Sequence, residues 1–300
     1  MKPRLGVAIG ILSCCCGAGA AVATRYLIRD SDAVTLAAIR FGGGFLCIAP
    51  LALLLRVQWP ARRDWTAVAG LGFLFYGVFF VFYGLALDFT TVSRGTLALS
   101  TLPLMTMVVG ALLGLERLSP RKIIGVFMAV GGAFIALASG LHAAPGGAWR
   151  GDLIMAGATL CMAVYSVYSR PYVTRSSPLG VLTTGMAAGG IAMIVASVVS
   201  GGAASLGHFG PIQWLAAFYL AAGGGALAFA LWVFALQLAS PTQVTNTMTI
   251  NPFVATLLAA GFLNEPITIE VVIGLLAVFA GLWFATTGNK HLAGRANADQ

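Results

Sequence analysis

Ten stretches of predominantly apolar residues recur along the chain, at about 5–28, 33–56, 65–87, 92–113, 121–139, 151–170, 178–200, 212–238, 242–262 and 268–287. Each approaches the ~20 residues a helix needs to cross the hydrocarbon layer, so the pattern predicts ten transmembrane helices. The polar segments between them run to about 4–11 residues, which suits antiparallel neighbours joined as helical hairpins and leaves no room for a soluble domain. The least apolar connection is His142 to Arg150, with Pro145-Gly146-Gly147, and it reads as a flexible link between residues 1–140 and 151–287. Residues 288–300 form a short polar tail, expected to be cytoplasmic and disordered.

The two parts echo one another. Ala86-Leu87, Pro103, Glu116, Gly125 and Gly132 recur 149 positions on as Ala235-Leu236, Pro252, Glu265, Gly274 and Gly281. At an offset of 145, Gly6, Cys16 and Arg25 face Gly151, Cys161 and Arg170. A duplicated half explains these matches together. Five spans per half is an odd number, so the copies must cross the membrane in opposite directions. The predicted fold is therefore an all-α membrane protein of ten transmembrane helices, arranged as two inverted five-helix repeats.

Composition agrees. Of 300 residues, 59% are hydrophobic and 9% charged, with a mean hydropathy of +0.93, whereas soluble domains carry roughly 25% charged residues. The net charge of +8 does not point to nucleic acid, because the basic residues lie mostly between spans. With the N-terminus inside, the inner segments hold Lys2, Arg4, Arg56, Arg62, Arg63, Arg117, Arg121, Lys122, Arg170, Arg175, Lys290 and Arg295, and the outer segments only Arg25, Arg29 and Arg150. The positive-inside rule then places both termini in the cytoplasm of a multi-pass protein, expected in a bacterial cytoplasmic (inner) membrane.

Cys14, Cys15, Cys16, Cys47 and Cys161 all fall within spans, and three consecutive helical cysteines point in three directions. They are expected to pack rather than to chelate a metal. Lys2 and Arg4 before an apolar run that reaches Ala18-Gly19-Ala20 look like a signal peptide, but the sixth span repeats the first, so the expectation is a retained helix. Glycine clusters at Gly42-Gly43-Gly44, Gly131-Gly132, Gly189-Gly190 and Gly223-Gly224-Gly225 fit close helix crossings in lipid. No nucleotide loop is present, and no cofactor is expected.

Several segments, at the expected spans, resemble the EamA family of the drug/metabolite transporter superfamily over essentially the whole chain. They are Leu36-Ala37-Ala38-Ile39-Arg40-Phe41, Leu102-Pro103-Leu104 through Gly114-Leu115-Glu116-Arg117-Leu118, Gly125 to Gly132, and Asn251-Pro252 through Asn264-Glu265-Pro266 with Gly274 to Gly281. One departure is the Cys14 to Cys16 run, where the family's first helix usually carries a tryptophan. The resemblance implies secondary transport, most often export of amino acids, other small metabolites or drugs by alternating access, and not an enzyme. A lipid or lipid-linked substrate flippase and a membrane-embedded enzyme are the alternatives. The enzyme would need a nucleophile–base pair, a carboxylate pair or a metal cluster within the membrane. The expected partners are a small-molecule substrate and the lipid bilayer, with monomer and homodimer both open.

Candidate pathway residues follow. Arg40 lies about a third of the way down span two, as an anchor for an anionic group or as a structural tie to helix-end carbonyls or to Asp32 or Asp88. Arg94 opens span four and matches Gln243; either could meet substrate, and Arg94 could instead snorkel to headgroups. Span nine is polar, with Gln243, Asn246, Thr249 and Asn251 roughly on one face before Pro252. Pro252 and Pro103 each interrupt a helix and free the carbonyl four residues back, at Met248 and Leu99. Tyr76 and Tyr83 share a face of span three, Tyr165 and Tyr168 lie in span six, and Trp232 lies in span eight. They could stack on a solute or simply pack. Trp59, Trp65, Trp149 and Trp214 belong to interfacial belts. No acidic residue sits at mid-span, so a uniporter, or a weakly proton-coupled exporter, is expected.

Overall fold

A computed structural model describes residues 3–99, 101–114, 146–238 and 247–287, together with positions 120, 123–124, 127–128 and 131. Among these every regular element is helical. The described helices are α1 (Pro3–Leu27), α2 (Ala33–Leu54), α3 (Trp65–Gly72 continuing to Phe80–Phe89), α4 (Val92–Leu99) and α5 (Leu102–Leu112). They continue with α6 (Ala148–Arg175), α7 (Pro178–Val199), α8 (Pro211–Phe218 continuing to Ala228–Leu238), α9 (Asn251–Leu263) and α10 (Ile269–Thr287). Among the described residues, six helices are long and apolar enough to cross a membrane, and Asn251–Leu263 is a shorter apolar helix. The fifth predicted span and the polar tail lie outside what is described.

Local chemistry sets several boundaries. Asp32 caps α2 by accepting from the Val34 and Thr35 amides, both at 2.9 Å. Ser177 caps α7 from the Gly180 amide at 2.9 Å, with Pro178 in the first turn. Span four is not one helix: α4 stops at Leu99, and α5 restarts at Leu102 with Pro103 in its first turn. Span nine repeats this, with a 3-10 turn at Thr247–Ile250 and then α9 carrying Pro252 in its first turn. A proline cannot donate to the preceding turn, so each one starts a helix more cheaply than it continues one. The two prolines that echo at 149 positions thus do the same local work.

Three helices contain wider π-turns, at Ala38–Gly43 in α2, Phe73–Phe79 in α3 and Tyr219–Leu227 in α8. The last two fall in corresponding spans of the two predicted repeats. Such turns rotate the downstream side chains and frequently mark functional sites.

Helix packing is reciprocal. α1 packs on α8 and α9, and α6 packs on α3 and on α4 with α5; α2 meets α8 as α7 meets α3; α2 meets α7, and α4 meets α9. Within this set of described pairs, exchanging each helix for the one five spans away returns a pair of the same set. Small residues make these crossings possible. At α2–α8, Gly44 lies so close that a Cβ there would be 3.3 Å from Gly225 backbone. At α3–α7, a Cβ on Gly189 would meet the Gly72 carbonyl oxygen at 2.9 Å. Outward-facing leucines, isoleucines and phenylalanines, among them Leu54, Val199, Leu215 and Phe262, are exposed as a lipid-facing surface requires.

Candidate functional site

Arg40 sits in the π-turn of α2 and is 6% exposed. Its Nη2 donates to the Gly224 carbonyl in the π-turn of α8 at 3.2 Å. Its guanidinium carbon lies 4.5 Å from the Phe80 ring centroid and 5.5 Å from that of Phe41, and Tyr83 and Tyr219 are within electrostatic reach. The two acidic candidates do not meet it. Asp32 is committed to its own helix and to Thr35 Oγ1 at 2.6 Å, and Asp88 is exposed. An arginine at mid-membrane costs about 2.5–3.5 kcal/mol on insertion scales. A charge-assisted hydrogen bond of about 1.5–3 kcal/mol and a cation–π contact of about 0.5–2 kcal/mol are of the same order. The side chain is therefore held in place without a counter-charge, and its Nε remains buried with no hydrogen-bond partner.

Around this arginine lies an aromatic cluster. Phe41 packs on Tyr76 and Phe80 at centroid distances of 5.1 and 4.3 Å. Phe75 stacks on Tyr165 at 4.4 Å and 13°. Tyr76 approaches Tyr165 and Phe229 edge-on, and Tyr83 closes the group against Phe79 and Phe80. Arg40, Tyr76, Tyr83 and Tyr165 thus come together in one cluster. Phe75, Phe80 and Phe229 belong with them but carry no polar atom that would single them out among 18 phenylalanines.

Tyr168 does not join: it is 47% exposed. Trp232 packs with Ile9 and Ala235 on another face of α8. Asn251 faces α1, its Nδ2 3.7 Å from where a Cβ on Gly17 would lie, and its Oδ1 is buried with no hydrogen-bond partner. Nearby, the Cys14 thiol and the Thr247 hydroxyl are 3.5 Å apart. Gln243 and Asn246 lie outside the described residues. Thr249 is described only as backbone of the 3-10 turn, and Pro103 only as backbone of α5. Among the described residues, no group of three His, Cys, Asp or Glu side chains converges on a point a metal ion could occupy.

At one face of the membrane a polar chain ties α1, α3, α4, α6 and the α9–α10 loop together. Arg25, in the last turn of α1, donates to the carbonyls of Leu87 and of Asp88, the latter at 3.0 Å, and its Nε is 3.5 Å from Glu265 Oε1. Glu265 Oε2 accepts from the Val92 amide at the start of α4 at 2.9 Å, which places a carboxylate on a helix N-terminus. Two residues on, Arg94 is 4% exposed and pairs with Asp152 of α6 at 2.6 Å, and Thr90 Oγ1 donates to the other Asp152 oxygen at 3.2 Å. Arg94 is therefore buried in an ion pair rather than snorkelling. Burial pushes the Glu265 carboxyl above its ordinary value, and the Val92 amide and Arg25 oppose that rise without cancelling it. Asp152 and Arg25 carry little signal in the sequence, since their partners lie 58 and 240 positions away.

Comparison with known proteins gives these features a setting. The profile of the EamA-like transporter family matches residues 4–138 and 149–287. An uncharacterized transporter of Archaeoglobus fulgidus is 26% identical over 91% of this chain and 94% of its own. The uncharacterized inner membrane transporter YedA of Escherichia coli K12 is 27% identical over 81% of this chain and 78% of its own. A solved crystal structure shares the fold, with a TM-score of 0.66 at 22% identity over 95% of this chain and 98% of that one.

Proposed function

The chain belongs to the EamA-like transporter family, and from that premise we propose that it is a secondary transporter exporting amino acids or other small metabolites by alternating access between two inverted five-helix halves. The observation that carries the proposal is the reciprocal packing: the strongest helix contacts run between the halves and map onto one another when the halves are exchanged. Halves that meet in this way can rock about a shared axis, with a site between them near the midplane. Arg40 and its aromatic surroundings occupy such a position, bounded by α2, α3, α6 and α8.

The polar chain at Arg25, Glu265, Arg94 and Asp152 acts as a latch in this scheme. Its ion pairs join residues of the first half to residues of the second, so this face opens only when they part. The positive-inside pattern makes it the outer face. The test of transport is direct. Purified protein in vesicles loaded with an unlabelled amino acid panel should exchange labelled members of that panel saturably. Rates equal to those of empty vesicles for every member would sink the proposal.

Glu265 makes the latch sensitive to pH, with a definite sign. Its carboxyl binds a proton more tightly in the buried, closed arrangement than when exposed at its ordinary value of 4.5. Closure therefore takes up a proton, and opening is favoured as pH rises from that value through the raised one. In protein whose five native cysteines are replaced, thiol labelling of a cysteine placed at Val92, divided at each pH by the rate of a free thiol so that the falling thiolate fraction cancels, should slow several-fold as pH falls from 8 to 5. Glu265→Gln, fixed in the neutral form, should label slowly at every pH; an unchanged pH profile in that variant would remove Glu265 from the latch.

A further inference from the structure

Arg40 differs from Arg94, which is buried, and from Arg25, which is partly buried, in what compensates it. Arg25 and Arg94 each face a carboxylate, so their charge is neutralised where they stand. Arg40 is held by a carbonyl oxygen and an aromatic face. Those contacts replace lost hydration but leave a net positive charge in a low-dielectric setting, where its field is strong. No described acidic side chain forms an ion pair with it, and its buried Nε has no hydrogen-bond partner. A guanidinium offers five N–H donors in a planar fork that matches a carboxylate with two parallel bonds.

The surroundings restrict what such a carboxylate belongs to. Phe41, Phe80 and Tyr83 flank the guanidinium, and Tyr76, Tyr165 and Phe229 continue the apolar wall. The π-turns of α2 and α8 meet at the same place: Arg40 is in one and Gly224 in the other. A movement of α8 relative to α2 would thus break the one carbonyl tie and release Nη2 for a ligand. The same charge repels an ammonium group brought close without a carboxylate.

We propose that Arg40 is the anion anchor of the transport site, taking the carboxylate of an organic acid whose apolar body lies along Phe80, Tyr83 and the Tyr76–Tyr165 wall. This rests on the transporter reading for its purpose, but binding can be tested without transport. Three size-matched probes decide it: benzoate, benzamide and benzylamine, each titrated against purified protein in detergent while the thermal midpoint of unfolding is followed. Benzoate should raise the midpoint saturably, and benzamide and benzylamine should leave it unchanged. Arg40→Gln should weaken benzoate binding at least tenfold, and Arg40→Lys, which keeps the charge but loses the fork, should fall between. A midpoint raised equally by benzamide or benzylamine, no response to benzoate, or undiminished benzoate binding in Arg40→Gln would each overturn the proposal. The comparison among the three probes on the unaltered protein stands even where neither variant folds. Arg40-dependent binding in a protein whose vesicles carry no flux would leave the anchor in place and remove the transport reading instead.

Discussion

Gly225→Ala is expected to cost a large share of the folded protein. The new Cβ would fall on the Arg40 carbonyl oxygen, with the Arg40 carbonyl carbon at 3.3 Å and Gly44 Cα at 3.4 Å. All of these are backbone atoms, which cannot rotate away. The α2–α8 crossing would have to part, disturbing the Gly224 tie to Arg40 as well. Overpacking typically costs about 1–3 kcal/mol, and more where backbone must shift. Gly70→Ala is the internal control: it lies in α3 with nothing within 4 Å of a new Cβ, and alanine is favoured over glycine in a helix by about 1 kcal/mol. Monodisperse yield and unfolding midpoint should fall sharply for Gly225→Ala and hold or rise for Gly70→Ala. Equal behaviour of the two would mean that the crossing is looser than described.

Asp152→Asn is expected to have the second largest effect. The exchange keeps the shape and the acceptor for Thr90, but it takes the carboxylate from Arg94, whose side chain is 5% exposed. Removing one partner of a buried ion pair costs about 3–5 kcal/mol, because the remaining charge stays where water cannot reach it. The partial exposure of Asp152, 14% at the side chain, puts the expected loss near the bottom of that range. Arg94→Gln combined with Asp152→Asn should recover much of it, since neither charge is then stranded. A double-mutant cycle on the unfolding midpoint measures this coupling. Additive losses would show that the pair contributes nothing as a pair.

Much of the architecture is readable from hydropathy, because lipid demands about twenty apolar residues wherever a helix crosses. The prolines are readable too: Pro103 and Pro252 each sit in the first turn of a helix. The facing of side chains is harder. Tyr165 and Tyr168 are equivalent by composition, yet one is in the aromatic cluster and the other faces outward, since a three-residue step rotates a helical side chain by about 60°. The π-turns add a further rotation that no residue pattern announces, and Phe229, just past the one in α8, meets the cluster. The latch was hidden for a different reason. Arg25, Glu265, Arg94 and Asp152 look like ordinary span-end charges, and only packing brings such distant positions within bonding range. Arg40 was visible as an anomaly from its charge alone, but that no acidic side chain among the described residues pairs with it needed the structure.

The claim that this face opens and closes as the halves part can be tested without touching any charged residue. Thr90 and Gly151 belong to opposite halves, and a Cβ at Gly151 would lie 2.9 Å from the Thr90 Cβ and 2.7 Å from the Ala86 carbonyl oxygen, so the shift of α6 that clears the carbonyl also opens the pair toward the roughly 3.5–4.5 Å of a disulfide. In protein whose five native cysteines are replaced, Thr90→Cys with Gly151→Cys should oxidise to a cross-linked form. Exchange of the fastest-moving labelled amino acid should stop in vesicles of that form and return on reduction. Undiminished exchange by fully cross-linked protein would contradict alternating access at this face.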